Sequence, residues 1–150
     1  MLLRPFTFED WPVIAKFQYP DSSEEEIGGM ILQWNTRQYD GQYFEMLAIE
    51  NDGNIVGYVS LLDRDDGVVS EGVEIYPPYR RQGFAYNAVT MALQYAKELG
   101  FEVVSAQVRQ NNAASIALHK KLGFQITDSF CNGRGHLVYT LTMKLIDTSL

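Results

Sequence analysis

A short basic loop between two apolar segments is the first part of the chain that could carry out chemistry. It reads Pro-Pro-Tyr-Arg-Arg-Gln-Gly-Phe-Ala over residues 77–85. Strand-like alternation at Val73 and Ile75 precedes the loop, and an apolar repeat of helical spacing follows it. The first N–H groups of a helix have no partner inside the helix, and the helix dipole adds positive charge there. Such a loop can therefore bind an anion, and a diphosphate is the natural ligand.

A second polar segment lies further along the chain, from Asn112 to Phe124. It reads Asn-Ala-Ala-Ser-Ile-Ala-Leu-His-Lys-Lys-Leu-Gly-Phe and predicts a helix that Asn112 caps and Gly123 ends. Ser115 lies in the first turn of this helix, and His119 follows one turn later. An imidazole has an ordinary pKa of about 6.5, so His119 could transfer a proton near neutral pH.

Together these two segments resemble the signatures of the GCN5-related N-acetyltransferases, the GNAT family. Arg80-x-x-Gly83-x-Ala85 matches the Gln/Arg-x-x-Gly-x-Gly/Ala signature of that family. Residues 112–124 are similar to its Asn-x-x-Ser-x-x-Leu-Tyr-x-x-x-Gly-Phe motif, with His119 in place of the usual Tyr. The resemblance is clear from about Glu45 to the C-terminus. Within the family, residues 72–85 are most similar to the ribosomal-protein N-terminal acetyltransferase branch.

The resemblance implies a site for acetyl-CoA as cosubstrate. Backbone N–H groups of the basic loop would hold the diphosphate. The pantetheine arm would lie in a wedge between the strands Val68–Tyr76 and Val103–Val108, which begin paired and then separate. Asn112 would contact this arm, although a helix cap explains that residue equally well. The predicted cosubstrate-binding residues are Ile75, Tyr76, Arg80, Arg81, Gln82, Gly83, Phe84, Ala85, Tyr86, Asn112 and Ser115.

Two side chains are predicted to move protons during the reaction. His119 stands where the Tyr of the family protonates the leaving thiolate of CoA; the competing explanation is a buried structural histidine. Attack requires a neutral amine, so a carboxylate that accepts the amine proton is also expected. Glu71 and Glu74 lie on opposite faces of the strand beside the wedge, and Glu74 is the preferred candidate. Its competing explanation is a solvated carboxylate on a strand face.

Composition limits the other classes of function. A chain of 150 residues that is 46% hydrophobic and 21% charged predicts one globular domain over residues 1–150. The lone Cys131 excludes a disulfide framework and a cysteine metal cluster, so we expect no metal and a cytoplasmic location. A net charge of −7 argues against binding to nucleic acid. No apolar run approaches the ~20 residues that span a bilayer, so no membrane partner is expected.

The hydrophobic periodicities predict the element order β-α-α-β-β-β-α-β-α-β-β. The predicted strands are Leu2–Thr7, Tyr43–Glu50, Ile55–Asp63, Val68–Tyr76, Val103–Val108, Phe124–Phe130 and Leu137–Leu145. The first predicted helix begins near Trp11. The other three predicted helices run from Ser22 to about Gln38, from Ala85 to Leu99 and from Ala113 to Leu122. This order predicts the α+β class, with a mixed and mostly antiparallel sheet flanked by helices, and the GNAT resemblance implies the same order.

The predicted reaction is transfer of the acetyl group of acetyl-CoA to a primary amine of a small molecule or a protein N-terminus. Direct attack in a ternary complex is expected, because Cys131 lies away from both motifs and could not form an acetyl-enzyme. The alternative is a non-catalytic acyl-CoA-binding sensor. The presence of His119 in place of the family's Tyr proton donor is compatible with this alternative. A nucleotide-binding domain is less favoured, since the Gly-x-x-x-x-Gly-Lys-Ser/Thr pattern is absent. The sequence does not identify the acceptor, and it leaves a monomer and a homodimer both open.

Overall fold

The computed structural model describes residues 1–145 and contains eight strands and four α-helices in that part of the chain. The strands are β1 Leu2–Pro5, β2 Gln38–Tyr39, β3 Gln42–Asn51, β4 Asn54–Asp63, β5 Val68–Ile75, β6 Val103–Arg109, β7 Gln125–Cys131 and β8 Leu137–Lys144. The helices are α1 Trp11–Phe17, α2 Glu24–Trp34, α3 Phe84–Glu98 and α4 Ala113–Leu122. The sequence predicts one domain over residues 1–150, and the last five of these residues lie outside the described part of the chain.

The strands form one sheet in the spatial order β1–β3–β4–β5–β6–β8–β7, with β2 paired to β3. Among the strand pairs within residues 1–145, β5 and β6 run parallel and the others run antiparallel. The predicted α+β class and the mixed, mostly antiparallel sheet are therefore confirmed.

The second helix is shorter than the sequence predicts. It begins at Glu24, close to the predicted start, and Ser23 is its N-cap: the Ser23 hydroxyl accepts from the Glu26 N–H at 3.1 Å, and the Glu26 carboxylate accepts from the Ser23 N–H. It ends at Trp34 rather than near Gln38, because Arg37 adopts a left-handed φ of +59° and the next two residues pair with β3. The periodicity could not predict β2, since two residues are too few to show alternation.

The two faces of the sheet pack against different helices. On one face, Ile14 of α1 and Ile27 of α2 are fully buried in a cluster with Ala48 of β3. On the other face, Val89 and other small apolar residues of α3 pack on β4, β5 and β6. These faces alternate along each strand, so neighbouring residues of β5 point to opposite helical layers.

The strands β5 and β6 separate soon after they begin. They pair only from Val68 with Val103 to Ser70 with Ser105. Beyond this point β5 remains bonded to β4 and β6 to β8, so a wedge opens between β5 and β6, as the GNAT resemblance implies. On its other side, β5 approaches β4 closely at Gly57. Only glycine fits there, because a Cβ at Gly57 would lie 2.0 Å from the Glu74 carbonyl oxygen.

Candidate functional site

A cavity of about 570 Å³ occupies the open end of this wedge. Its walls come from the end of β5, the loop before α3, the first turn of α3 and one face of α4. The lining residues are Val73, Glu74, Ile75, Tyr79, Arg80, Arg81, Gly83, Phe84, Ala85, Tyr86, Asn112, Ala114, Ser115 and Leu118. Both sequence motifs therefore meet in this one cavity.

A larger groove of about 780 Å³ lies elsewhere, on the outer side of α2. It is lined by residues along most of α2, from Glu24 to Leu32, together with Phe8 and Asn35, and it includes Glu25. Neither motif contributes to this groove, and it offers carboxylates rather than groups that bind an anion. The wedge cavity is therefore the better candidate site although it is smaller.

The loop before α3 is shaped to bind an anion. Arg81 and Gly83 both adopt left-handed conformations, with φ of +63° and +81°, and residues of alternating hand aim successive N–H groups toward one side. Gly83 is the N-cap of the 15-residue helix α3 and gives it no side-chain cap. The N–H groups of Phe84, Ala85 and Tyr86 therefore face out of the first turn, where the helix dipole is positive.

The surface over this loop is open. A Cβ built at Gly83 meets nothing within 4 Å, so the left-handed φ rather than crowding explains the glycine. The ammonium of Lys121 on α4 lies 4.7 Å from the centre of the Tyr86 ring at the edge of the cavity. Positive charge is thus concentrated here in a chain whose net charge is −7, and these features fit a diphosphate.

Arg80 connects the loop to the end of β5. Its Nε donates to the Ile75 carbonyl at 2.8 Å, and its Nη2 donates to Glu74 Oε1 at 2.7 Å. The Ile75 carbonyl faces the wedge, since the N–H of the next residue, Tyr76, points the other way and donates to Val56 of β4. About half of the Glu74 and Arg80 side chains is exposed, at 45% and 53%. Glu74 and Arg80 are thus accessible from the cavity.

Tyr76 and Gln82 are predicted site residues that the structure does not place on the cavity wall. Tyr76 is only 1% exposed, its ring stacks on Phe17 at 4.5 Å, and its hydroxyl donates to Gln18. Burial raises the pKa of the Tyr76 phenol. Its backbone N–H and C=O are bonded to Val56 and Tyr79, so neither is available to a ligand. Strand alternation explains the placement, because Tyr76 points to the α1–α2 face.

Asn112 and Ser115 form the part of the cavity that α4 contributes. Asn112 Oδ1 accepts from the Ser115 N–H at 3.1 Å, so Asn112 is the helix cap that the sequence predicts. Both side chains also line the cavity, and the two explanations of Asn112 are therefore compatible. Val73, Tyr79, Ala114 and Leu118 also line it, and sequence reasoning did not select them for the site.

His119 lies behind the cavity wall, in a buried pair with Glu71. The two residues are 2% and 7% exposed, and His119 Nε2 and Glu71 Oε1 share a short hydrogen bond. On the other side of the ring, His119 Nδ1 lies 2.7 Å from the Ser115 carbonyl oxygen and 3.4 Å from Ser115 Oγ. The structure therefore joins His119 to Glu71, which the sequence offers only as the second choice of carboxylate.

The surroundings of His119 determine the direction in which its pKa shifts. Burial acts to lower the pKa of His119, but the hydrogen bond and charge of Glu71 and the Ser115 carbonyl outweigh it, and the pKa is raised. The second carboxylate oxygen, Glu71 Oε2, is buried without a hydrogen-bond partner among residues 1–145. A buried carboxylate of this kind needs a positive partner, and protonated His119 supplies it.

Comparison with known proteins identifies the family. The sequence matches the acetyltransferase (GNAT) family over residues 4–124. The chain belongs to this family. Over 95 residues, the GNAT chain is 36% identical to the SPbeta prophage-derived uncharacterized N-acetyltransferase YokL of Bacillus subtilis (strain 168). The match covers 61% of this chain and 54% of YokL, and the chain spans about half the length of most of the curated relatives it matches.

Solved structures share the GNAT fold with this chain. The structure of yncA from Salmonella typhimurium, solved with its cofactor acetyl-CoA, has a TM-score of 0.74 at 20% identity and covers all of this chain and 96% of its own. A ribosomal-protein-alanine N-acetyltransferase from Brucella melitensis has a TM-score of 0.75 at 21% identity, covering 96% of this chain and 99% of its own. At these identities the likeness concerns the fold, so the ribosomal-protein branch stays a prediction.

Two further features of residues 1–145 bear on partners. None of the helices there is both long enough and apolar enough to cross a membrane. No three His, Cys, Asp or Glu side chains in that range lie close enough together to hold a metal ion.

Proposed function

We propose that this GNAT protein is an acetyl-CoA-dependent N-acetyltransferase that acetylates a primary amine by direct attack. The observation that carries the proposal is the continuous cavity from the N-terminus of α3 to the gap between β5 and β6. One end offers backbone N–H groups and positive charge to a diphosphate, and the other offers the end of β5, which no longer pairs with β6, to an extended arm. A ligand with both parts fits this cavity better than a simple anion.

The predicted binding residues other than Tyr76 each have a role in this proposal. The diphosphate is bound by N–H groups from Gln82 to Tyr86, with Arg80 and Arg81 providing charge at the same loop. The pantetheine arm follows the wedge-facing backbone of Ile75 on one side and the polar start of α4, Asn112 and Ser115, on the other. Tyr76 takes no part beyond holding the end of β5 in place.

The two proton-transferring groups lie on opposite faces of β5. Glu74 points to the face opposite the one that carries Glu71 and His119, because positions 71 and 74 differ by an odd number along the strand. An amine that enters on the Glu74 side attacks the thioester carbonyl carbon, and Glu74 accepts its proton. The C–S bond breaks toward the α4 side, where the thiolate gains a proton that the His119 pair supplies.

Direct attack is favoured over an acetyl-enzyme. Cys131, the only cysteine, is exposed at the end of β7 and does not line the cavity. The reaction therefore requires acetyl-CoA and amine to be bound together, which places both reactants at high effective concentration.

The alternative of a non-catalytic sensor is less favoured. YokL, which is 36% identical over the matched region, is named an N-acetyltransferase. The carboxylate of Glu74 also lines the cavity, and the buried pair of His119 and Glu71 lies behind its wall; a simple binding module requires neither. We further propose that the protein acts in the cytoplasm without a resident metal, nucleic acid or membrane partner. A monomer and a homodimer both remain compatible with this proposal.

The proposal predicts release of free CoA thiol when acetyl-CoA is incubated with the correct amine. The screen contains peptides with varied N-termini, polyamines, aminoglycosides and amino acids, because the sequence does not identify the acceptor. Mass spectrometry of the amine should show the addition of one acetyl group. If acetyl-CoA binds tightly but every amine leaves thiol release at the background rate, the sensor alternative is correct.

A further inference from the structure

The imidazole of His119 has no direct route to a ligand in the cavity. Its ring is almost fully buried, and it does not line the wall of the cavity. Both ring nitrogens already face partners inside the protein, Nε2 toward Glu71 and Nδ1 toward Ser115. A proton from His119 must therefore pass through another group to reach the cosubstrate.

The positions of the imidazole protons can be deduced from these partners. The Ser115 carbonyl oxygen can only accept a hydrogen bond, so Nδ1 carries a proton at the distance of 2.7 Å. A second proton lies between Nε2 and the Glu71 carboxylate, since a hydrogen bond between these two groups requires a proton on one of them. The pair thus holds one proton more than a neutral imidazole beside a carboxylate.

The hydroxyl of Ser115 is the group that connects this pair to the cavity. Ser115 Oγ lies 3.4 Å from His119 Nδ1, and Ser115 lines the cavity wall one helical turn before His119. A serine hydroxyl both donates and accepts and can rotate between the two directions. It can accept the Nδ1 proton from behind while it donates its own proton into the cavity.

We propose that Glu71, His119 and Ser115 form a proton relay in which the Ser115 hydroxyl protonates the leaving thiolate of CoA. The inference rests on the proposed acetyl transfer. The thiolate takes the Oγ proton, and Oγ takes the proton from Nδ1. The imidazole is left neutral, with its remaining proton on Nε2 against the Glu71 carboxylate. The amine has released one proton to Glu74 and the thiolate has gained one, so the protons balance over the turnover.

Glu71 is the positioning residue of this relay. It faces the imidazole from β5, while α4 contributes Ser115 and the segment after α4 contributes the ring of Phe124, whose centre lies 4.9 Å from the centre of the imidazole. Within residues 1–145, Glu71 is the ionisable side chain bonded to this imidazole. Its charge keeps His119 protonated, and its hydrogen bond fixes the ring so that Nδ1 points to Ser115.

The test uses CoA itself as the probe, so it does not depend on the identity of the acceptor. A hydroxyl and an imidazolium near the sulfur favour the thiolate, so the pKa of the bound thiol should fall below the ordinary value of about 8.5. Ultraviolet absorbance of the thiolate follows this titration. Ser115→Ala should return the pKa of the bound thiol toward its ordinary value, and Ser115→Thr, which keeps the hydroxyl, should restore the wild-type value.

Ser115→Ala is expected to fold, because Asn112 caps the backbone N–H of residue 115 rather than its side chain. Ser129→Ala is the matched control, since it removes an exposed hydroxyl on β7 outside the cavity and should leave the titration unchanged. Glu71→Gln should lower the pKa of His119 measured by NMR in the free protein.

With an acceptor from the screen, Ser115→Ala should lower kcat by about 100-fold and leave KM for acetyl-CoA nearly unchanged. If Ser115→Ala binds CoA but leaves both the thiol titration and kcat unchanged, the relay is wrong and the proposed acetyl transfer still stands. If the wild type does not bind CoA at all, the proposed function itself is wrong.

Discussion

Gly83→Glu is expected to weaken the binding of CoA by at least about 100-fold, a loss of about 2.7 kcal/mol of binding free energy. The new carboxylate would stand in the open space over the first turn of α3, where the diphosphate is expected. Like charges in this position repel, and the positive end of the helix would bind the side chain instead of the ligand. Isothermal titration with CoA measures the change in affinity.

Gly41→Glu is the matched control for this variant. Gly41 has a φ of +79°, and a Cβ there also meets nothing within 4 Å, so both changes introduce similar backbone strain and the same charge. Gly41 lies in the turn between β2 and β3, away from both motifs. We expect Gly41→Glu to bind CoA normally; equal affinities for Gly83→Glu and Gly41→Glu would show that the diphosphate does not bind at this loop.

His119→Leu is expected to lower the free energy of unfolding by about 3–5 kcal/mol, because it leaves the buried Glu71 without its charged partner. The double variant Glu71→Leu/His119→Leu should recover much of this loss, since it removes both buried polar groups and fills their space with apolar side chains. Urea unfolding of the wild type, the single variant and the double variant measures both effects. A single variant within about 0.5 kcal/mol of the wild type would show that the pair is not buried as described.

The raised pKa of His119 sets the direction of the pH dependence. A group whose pKa is higher in the folded state binds a proton more tightly there, so its contribution to stability is complete below the unfolded pKa of about 6.5. That contribution is lost as the pH rises through the raised folded value. The stability difference between the wild type and the double variant should therefore change in favour of the double variant as the pH rises from 6 to 9.

Much of the fold could be predicted from the sequence because the relevant signals are local. The Ser23–Glu26 capping box and the glycine that ends α4 each mark one end of a helix through contacts only a few residues apart. The shape of the loop before α3 is likewise a local feature, since the left-handed φ of Gly83 is a property of its own turn. The end of α2 was less predictable, because pairing of residues 38–39 with β3 replaces the helical hydrogen bonds.

The chemistry around His119 could not be predicted in the same way. Glu71 and His119 are 48 residues apart, and only the packing of α4 against β5 brings them together. Alternation places Glu71 on the α4 face of β5, but the sequence does not show which side chain of α4 meets it. Tyr76 is a different case, since sequence reasoning placed it at the cavity although the local alternation of β5 directs it to the α1–α2 core.

The most direct test of the account is to titrate acetyl-CoA into ¹⁵N-labelled protein and follow the backbone amide resonances. We expect the largest changes at Gln82–Tyr86, with further changes along Ile75 and the start of α4 at Asn112–Ser115. The groove beside α2, around Gly28, should be unaffected. Saturating changes confined to that groove, or no change at millimolar acetyl-CoA, would contradict the assignment of the wedge cavity as the acetyl-CoA site.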